Sequence, residues 1–268
     1  MIATLSARRR TQPPAIDRAA HLVERNTILY RRNWLLIVSG FLEPLLYLLA
    51  IGFGVGALVG SSIVLNGRPI PYAVFVAPAM MASSAMNGAI YETAFNFFFK
   101  LKYVKLYDAV LATPLGVADV ALGEIAWALF RGTLYAAGFI IVMAALGLVR
   151  SWWSLLAVPA AMLLGFTFAA VGTAAATFVR NWQDFDLVLI VMIPLFLFSA
   201  TFYPITLYPG PLQAVVQLSP LYHGVNLLRS LTTGIIGASL VFDLVYLVLL
   251  GAAGLAVAAT RLERMLLK

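Results

Sequence analysis

Four charged residues fall inside apolar stretches of this sequence and are its first candidates for chemistry: Glu43, Glu92, Arg131 and Asp243. An ionisable side chain within hydrocarbon is costly, so each one is a functional hypothesis by default. Glu92 and Arg131 lie on successive antiparallel stretches, and we expect them to pair. A place in a transport path is the alternative. Four scattered charges do not form a proton relay, which argues against a proton-coupled antiporter.

The common catalytic patterns are absent from the sequence. There is no GxxxxGK[ST] phosphate loop, no HExxH and no GxSxG, each of which places specific groups for nucleotide, zinc or acyl chemistry. The chain has no cysteine, and His21 and His223 fall on opposite sides of the membrane in the topology given below. We therefore expect no enzyme activity, no catalytic residue, no metal and no cofactor on this chain.

The composition is that of a protein whose solvent is lipid. Of 268 residues, 62% are hydrophobic and only 11% are charged, and the mean hydropathy is +0.95. Soluble domains carry about 25% charged residues. The net charge of +7 would suggest nucleic acid in a soluble protein, but the basic residues lie in the tail and loops, where control of membrane topology explains them better. No nucleic-acid partner is expected.

Apolar stretches long enough to cross the membrane define the elements that carry these charges. A spanning helix needs about 20 apolar residues. Residues 1–16 are predicted to be a disordered cytoplasmic tail, and residues 17–268 to be one all-α polytopic membrane domain. The six predicted transmembrane helices are at about Trp34–Val59, Tyr72–Phe99, Ala118–Leu148, Trp153–Val179, Leu187–Phe202 and Leu240–Thr260.

The distribution of basic residues predicts the orientation of the spans. Most arginines and lysines fall in the N-terminal tail, the second-to-third loop around Lys102, the fourth-to-fifth loop at Arg180 and the C-terminus. Loops rich in Lys and Arg stay in the cytoplasm. Both termini are therefore predicted to be cytoplasmic, which agrees with an even number of spans.

Three segments outside the spans have apolar faces. Residues 17–33 are predicted to form an amphipathic helix in the membrane interface, and residues 203–238 to form an extracytoplasmic re-entrant helix pair before the last span. The cytoplasmic segment from Lys100 to about Val117 is too hydrophobic for a solvated linker. It must face either a protein partner or lipid alone. Its apolar residues are Leu101, Val104, Leu106, Tyr107 and Leu111.

Two blocks of sequence resemble a known family. Residues 107–127 (YDAVLATPLGVADVALGEIAW) are similar to ABC-2 type exporter permeases, and in particular to the permeases of nodulation lipo-oligosaccharide exporters. Residues 198–231 are similar to the stretch that follows the fifth span in that family. The matching positions are Asp108, Ala112, Thr113, Pro114, Gly123 and Glu124 in the first block, and Ser199, Phe202, Pro204, Pro220, Leu221 and Arg229 in the second.

The resemblance implies a half-transporter in the bacterial inner membrane. A second permease copy would pair with it as a homodimer, and two ATP-binding subunits, which hold the ATP and magnesium, would dock on coupling segments. Phe202, Pro204, Pro220 and Arg229 would belong to the exit region. The implied docking residues are Leu101, Val104, Leu106, Tyr107, Asp108, Leu111, Thr113 and Pro114, with Arg18, Leu22, Arg25 and Leu29 on the interfacial helix.

The implied activity is outward, ATP-driven movement of an amphipathic or lipid-linked substrate, such as a lipo-oligosaccharide, polysaccharide, lipid or drug. An ion-coupled secondary transporter of hydrophobic compounds is the alternative. It would usually show inverted repeats, and none is visible. An intramembrane enzyme is the third possibility, and it lacks a catalytic set.

Overall fold

A bundle of long helices forms the protein in the computed structural model, which describes residues 23–28, 42–58, 62–65, 67–113 and 115–266. Four described helices are long and apolar enough to cross a membrane. The helices are α1 at residues 23–28, α2 at Leu42–Leu58, α3 at Tyr72–Lys102, α4 at Leu106–Leu111, α5 at Val117–Ala145, α6 at Trp152–Ala176, α7 at Phe185–Leu197, α8 at Gly210–Gln217, α9 at Pro220–Thr233 and α10 at Ser239–Leu266.

The four spanning helices are α3, α5, α6 and α10, and they correspond to the second, third, fourth and sixth predicted spans. The first predicted span begins outside the described residues, and its described part is the shorter α2. The fifth corresponds to α7, which has 13 residues and is short for about 30 Å of hydrocarbon. The count of six therefore stays a prediction, as does the tail at residues 1–16, which lies outside the described residues.

Helix α3 runs through the centre of the bundle. The apolar window that identifies it as a span is 89% buried, and α3 packs against α2, α5, α6 and α9. Its first part, Tyr72–Ile90, is apolar apart from Ser83, Ser84 and Asn87 and is almost entirely buried, a pattern typical of a helix surrounded by protein. A π-helical segment follows at Tyr91–Asn96 and carries Glu92.

Helix α6 is the second organiser and packs against α3, α5 and α10. The contact with α10 is close because α10 has glycines there: a Cβ on Gly254 would lie 3.0 Å from the Val171 nitrogen. A hydrogen bond of 2.9 Å from the Thr167 hydroxyl to the Leu247 carbonyl joins the same two helices. Small residues let apolar helices approach to this distance, where side-chain hydrogen bonds can join them.

The prediction of an all-α chain is wrong in one place. Strands β1 (Ser62–Leu65) and β2 (Arg68–Pro71) pair antiparallel between α2 and α3, with Leu65 opposite Arg68. This register leaves a two-residue turn, and its Gly67 has a φ of 78°, as the tight turns of hairpins require. Prolines in β2 obscured the strand pattern, because proline is rare inside sheets.

Two helices lie between α7 and α10, as the sequence predicted, although their re-entrant placement in the membrane stays a prediction. Helix α9 begins at Pro220, after Ser219 has accepted a hydrogen bond from the Tyr222 nitrogen, and it ends at Gly234 with a φ of 75°. Both ends follow the usual capping rules. We call this side of the bundle, with β1 and β2, the hairpin end, and the side with Lys100, Arg180 and Arg261 the basic end.

Candidate functional site

An ion-pair cluster at the basic end brings together two buried carboxylates. Glu92 on α3 is fully buried, and its Oε2 lies 2.7 Å from Arg131 Nη1 on α5. Glu124 on α5 is 2% exposed and accepts a hydrogen bond of 2.6 Å from Lys100 Nζ on α3. Lys100 Nζ also lies 3.6 Å from Glu92 Oε1, so it connects the two pairs. The pairing of Glu92 with Arg131 that the sequence indicated is therefore present.

The cluster extends from α3 and α5 to the N-terminal helix α1. Arg25 Nη2 lies 3.6 Å from Glu124 Oε1, and Asn96 donates to Glu92 Oε2 at 3.0 Å. Removing one member of such a buried set leaves a charge without its partner, which costs about 3–5 kcal/mol. We therefore expect α1, α3 and α5 to move together at this end.

Sequence reasoning missed Glu124 and Lys100 as members of the cluster. Glu124 entered only as a position of the family pattern, and Lys100 only as a loop charge. A signal was available: Glu92, Asn96 and Lys100 follow one another at intervals of four and therefore lie on one helix face. That face carries an acid, an amide and a base, which is typical of a buried polar contact rather than a lipid-facing one.

The segment between α3 and α5 is anchored to the bundle by Tyr107. Its ring is fully buried, packs at a tilt against Phe97 with ring centroids 5.1 Å apart, and belongs to one cluster with Val120, Ala176 and Leu262. These four residues belong to α3, α5, α6 and α10, so Tyr107 lies in a cluster to which all four spanning helices contribute. Burial raises the pKa of the Tyr107 phenol, and the Glu124 carboxylate raises it further. The hydroxyl is near Glu124, but the geometry falls short of a hydrogen bond.

The opposite side of this segment is open. Tyr103 is 58% exposed and Val104 54% exposed, and Thr113 is exposed as well. Lys105, the residue after Val104, adopts a left-handed φ of 48°, which turns the chain sharply from α3 into α4. The segment thus presents Tyr103 and Val104 outward while Tyr107 points into the bundle.

The predicted docking residues divide into two groups. Val104 and Thr113 are exposed, whereas Leu101 and Leu106 are partly buried against the Tyr107 cluster. The expectation that Tyr107 faces a partner or lipid is wrong, because its ring is enclosed by the chain's own helices. Asp108 and Leu111 are residues of α4, and Pro114 lies outside the described residues.

The predicted interfacial helix is described only at residues 23–28, which are helical; Arg18, Leu22 and Leu29 lie outside the described residues. Arg25 on this helix reaches Glu124 inside the bundle, and Asn26 beside it is 2% exposed. The described part of this helix is therefore held by protein contacts.

Glu43 lies away from the cluster. It lines a cavity of about 180 Å³ between α2, α3 and α7, together with Tyr47, Asn87 and Phe196. A larger apolar groove of about 850 Å³ lies on the other side of α7, between α3, α6 and α10. It extends from Arg180 and Asp184 at the basic end to Leu218 at the hairpin end.

The hairpin end has a second buried polar group that sequence reasoning missed. His223 on α9 and Asp243 on α10 are both buried, and His223 Nδ1 lies 2.6 Å from Asp243 Oδ1. The other ring nitrogen lies 2.8 Å from the Gln217 carbonyl oxygen, and Asn226 donates to Asp243. Asp243, one of the four charges singled out in the apolar stretches of the sequence, thus ties α10 to α9.

The predicted exit residues all lie at the hairpin end. Phe202 contacts Phe196 edge to face with ring centroids 5.2 Å apart, Pro204 caps a short 3₁₀ turn at Ile205–Leu207, and Pro220 starts α9. Arg229 on α9 is 5% exposed and donates hydrogen bonds to backbone carbonyls. Within the part of the chain that the structure describes, no three His, Asp or Glu residues are grouped to hold a metal ion.

The described residues form a helical bundle in which four helices can cross a membrane, with the segment between α3 and α5 anchored among them, which is the architecture of a polytopic membrane protein. Residues 19–232 match the family described as ABC-2 type transporter, and the chain belongs to this family. It is 34% identical over 213 residues to Nodulation protein J of Rhizobium leguminosarum bv. trifolii, covering 78% of this chain and 79% of the relative.

Two further relatives have the same name. Nodulation protein J of Rhizobium meliloti (strain 1021) is 30% identical over 215 residues, with 76% of this chain and 80% of the relative covered. The protein of that name from Sinorhizobium fredii (strain NBRC 101917 / NGR234) is 31% identical over 210 residues, with coverage of 75% and 78%. The resemblance seen in the sequence to nodulation exporter permeases is confirmed.

Proposed function

We propose that this chain is the membrane subunit of an ATP-driven exporter, and that a separate ATP-binding subunit docks on the segment from Tyr103 to Thr113. The observation that carries the proposal is the position of Tyr107. Its buried ring belongs to one cluster with residues of α3, α5, α6 and α10, so a displacement of this segment would act on every spanning helix described.

The ion-pair cluster supports the same interpretation. Lys100, which precedes the segment by a few residues, binds Glu92 and Glu124, and Glu124 also binds Arg25 on α1. A displacement of the segment would therefore act on an ion-pair cluster that joins α1, α3 and α5 by direct contacts. Packed interiors respond to such small shifts by switching between arrangements rather than by bending gradually.

The assembly is proposed to be a homodimer of this chain with two ATP-binding subunits, which hold the ATP and magnesium. In this assembly the basic end faces the cytoplasm of a bacterial cell, and both termini lie on that side of the inner membrane. The large exposed apolar side chains on α7, such as Leu187, Ile190 and Ile193, suit contact with lipid or with the second copy.

The substrate is proposed to be amphipathic or lipid-linked. The groove of about 850 Å³ along α7 is lined almost entirely by apolar side chains, with Arg180 and Asp184 at one end. Acyl chains suit such a surface, and a polar head suits its charged end. The name Nodulation protein J belongs to the relatives, and a lipo-oligosaccharide substrate for this chain is part of the proposal.

Reconstitution tests the proposal directly. Liposomes would contain this chain alone, the phosphate-loop subunit that co-purifies with it alone, or both, and a fluorescent lipo-oligosaccharide would report outward movement. We expect movement and stimulated ATP hydrolysis only with both chains and ATP. Movement by this chain alone under an ion gradient would support the secondary-transporter alternative and overturn the proposal.

A further inference from the structure

A polar cavity lies at the hairpin end, apart from the groove and the ion-pair cluster. Its volume is about 280 Å³, which is small beside the roughly 300–1,000 Å³ of pockets for drug-sized ligands and suits a single headgroup. The cavity lies between β1, the 3₁₀ turn at Ile205–Leu207, α9 and the start of α10. Its polar lining is Thr206, Tyr222, Asn226, Arg229, Ser230, Thr233 and Ser239.

Arg229 is the only cation in this lining, and it is 5% exposed. Its Nε donates to the Phe75 carbonyl at 3.1 Å, its Nη2 donates to the Ala200 carbonyl at 2.8 Å, and its guanidinium carbon lies 3.7 Å from the Phe75 ring centroid. These contacts fix the guanidinium plane, but every partner is neutral. Among the described residues, no carboxylate lies within ion-pair distance of Arg229.

Asp243, which accepts a hydrogen bond from the cavity residue Asn226, is already engaged. Asp243 binds His223 through one carboxylate oxygen and Asn226 through the other, and it does not line the cavity. A buried charge without a counter-ion is costly. The cavity thus holds a fixed positive charge that no acid of the described residues neutralises, and an anion from outside the chain would lower this cost.

The cavity lies at the level where lipid headgroups are expected. Trp152 and Trp153 at the start of α6 are 90% and 53% exposed, and exposed tryptophans mark the membrane–water interface. Ser151 beside them packs against Gly234, which ends α9 one turn after Arg229. Phosphate groups of lipids are therefore the anions most concentrated near its opening.

We propose that this cavity binds a phosphate group, with Arg229 supplying the charge and the hydroxyls of Tyr222 and Ser230 supplying hydrogen bonds. No hydrogen bond to another described residue involves either hydroxyl. Guanidinium is suited to phosphate because its planar donors match the oxygen geometry. The phosphate is either the diester of an anionic lipid headgroup or free inorganic phosphate. This site goes beyond the proposed export function and does not depend on an ATP-binding subunit.

Binding would be measured on the full-length chain in dodecyl maltoside, a detergent without phosphate. One arm titrates inorganic phosphate and the other titrates dihexanoyl phosphatidylglycerol, both by calorimetry. We expect Arg229→Gln to weaken binding at least tenfold and Arg229→Lys to weaken it less. Arg150→Gln, an exposed arginine at the same end, should bind as the parent does. Binding of the lipid alone assigns a headgroup site, and equal dependence on Arg229 in both arms assigns a site that free phosphate fills.

A second variant separates binding from folding, because Arg229 also holds the Phe75 and Ala200 carbonyls. Thr206→Trp introduces a large ring at the exposed rim of the cavity and leaves Arg229 unchanged. We expect this variant to have the same unfolding temperature as the parent chain and to bind the probes at least tenfold more weakly. Failure of both probes to bind the parent chain, or unchanged binding in Arg229→Gln and Thr206→Trp, would overturn the proposal.

Discussion

Glu92 on α3 and Arg131 on α5 form an ion pair of 2.7 Å inside the bundle, with the acid fully buried and the base 11% exposed. The pair lies where the π-helical segment Tyr91–Asn96 begins. Such segments often occur at functional sites. The pair therefore joins two spanning helices. It also belongs to the ion-pair cluster on which the proposed docking segment would act.

The first prediction concerns the two members of this pair. Glu92→Leu should lower the free energy of unfolding by about 3–5 kcal/mol, because Arg131 would remain buried without its acid. The double variant Glu92→Leu/Arg131→Met should recover part of this loss. Unfolding of the detergent-solubilised chain in an SDS titration measures both. Asp186→Asn, an exposed acid on α7, is the control. An equal loss of unfolding free energy in the single and double variants would show that the ion pair itself does not stabilise the bundle.

The second prediction separates the ring of Tyr107 from its hydroxyl. Tyr107→Phe should change stability by less than about 1 kcal/mol, since removing a buried hydroxyl without a hydrogen-bond partner has little cost. Tyr107→Ala should cost about 3–5 kcal/mol, the usual range for an aromatic ring removed from a core. The same titration measures both variants. A large loss in Tyr107→Phe would instead assign the hydroxyl a bond to Glu124 that the structure lacks.

Hydropathy and charge placed the spans and one ion pair, but not the rotation of the helices about their axes. Length and apolar content are properties of a segment, so α3, α5, α6 and α10 follow from the sequence alone. Which acid meets which base depends on helix rotation and on the π-helical turn in α3. For that reason the contact of Lys100 with Glu124 was not predicted, although the pairing of Glu92 with Arg131 was.

The same limit explains the remaining differences. Tyr107 lies in a segment whose apolar residues suggested a binding face, but the sequence does not say which side of a short helix is buried. His223 and Asp243 are 20 residues apart, on the two helices that flank the short connection between Thr233 and Ser239. Their contact depends on how α9 folds back on α10, which no local pattern encodes.

The third prediction concerns the exposed face of the segment from Tyr103 to Thr113, on which the ATP-binding subunit is proposed to dock. Val104→Asp should abolish stimulation of ATP hydrolysis by this chain and leave its folding unchanged, because Val104 is 54% exposed. Leu207→Asp, at a site that is 70% exposed at the hairpin end, is the matched control and should retain stimulation. ATPase assays on the two-chain liposomes measure both. Normal stimulation in Val104→Asp would remove this face from the docking surface.

The fourth prediction uses the absence of cysteine from the sequence. Val104→Cys and Leu207→Cys each introduce one thiol, at the basic end and the hairpin end. A membrane-impermeant maleimide added to intact cells should label Leu207→Cys, and Val104→Cys should be labelled only after lysis. The opposite result would invert the proposed orientation and, with it, the direction of transport.

The fifth prediction tests the glycine contact between α10 and α6. Gly254→Ala would place a methyl 3.0 Å from the Val171 nitrogen and 3.1 Å from the Ala170 carbonyl carbon. Backbone atoms cannot move aside as a side-chain tip can, so the helices must separate, at a cost of about 1–3 kcal/mol. On α5, Gly132→Ala meets no atom within 4 Å and should stabilise by about 0.5–1 kcal/mol, the usual helix preference for alanine.

The comparison of these two variants decides between packing and helix propensity. Both replace glycine by alanine within a spanning helix, so propensity alone predicts the same gain for both. If close approach of α10 to α6 determines the outcome, unfolding titrations should show opposite signs. Opposite signs would also indicate that this helix pair moves as one unit, because a contact at backbone distance leaves no room for sliding. A gain in both variants would show that α10 packs more loosely than the structure indicates.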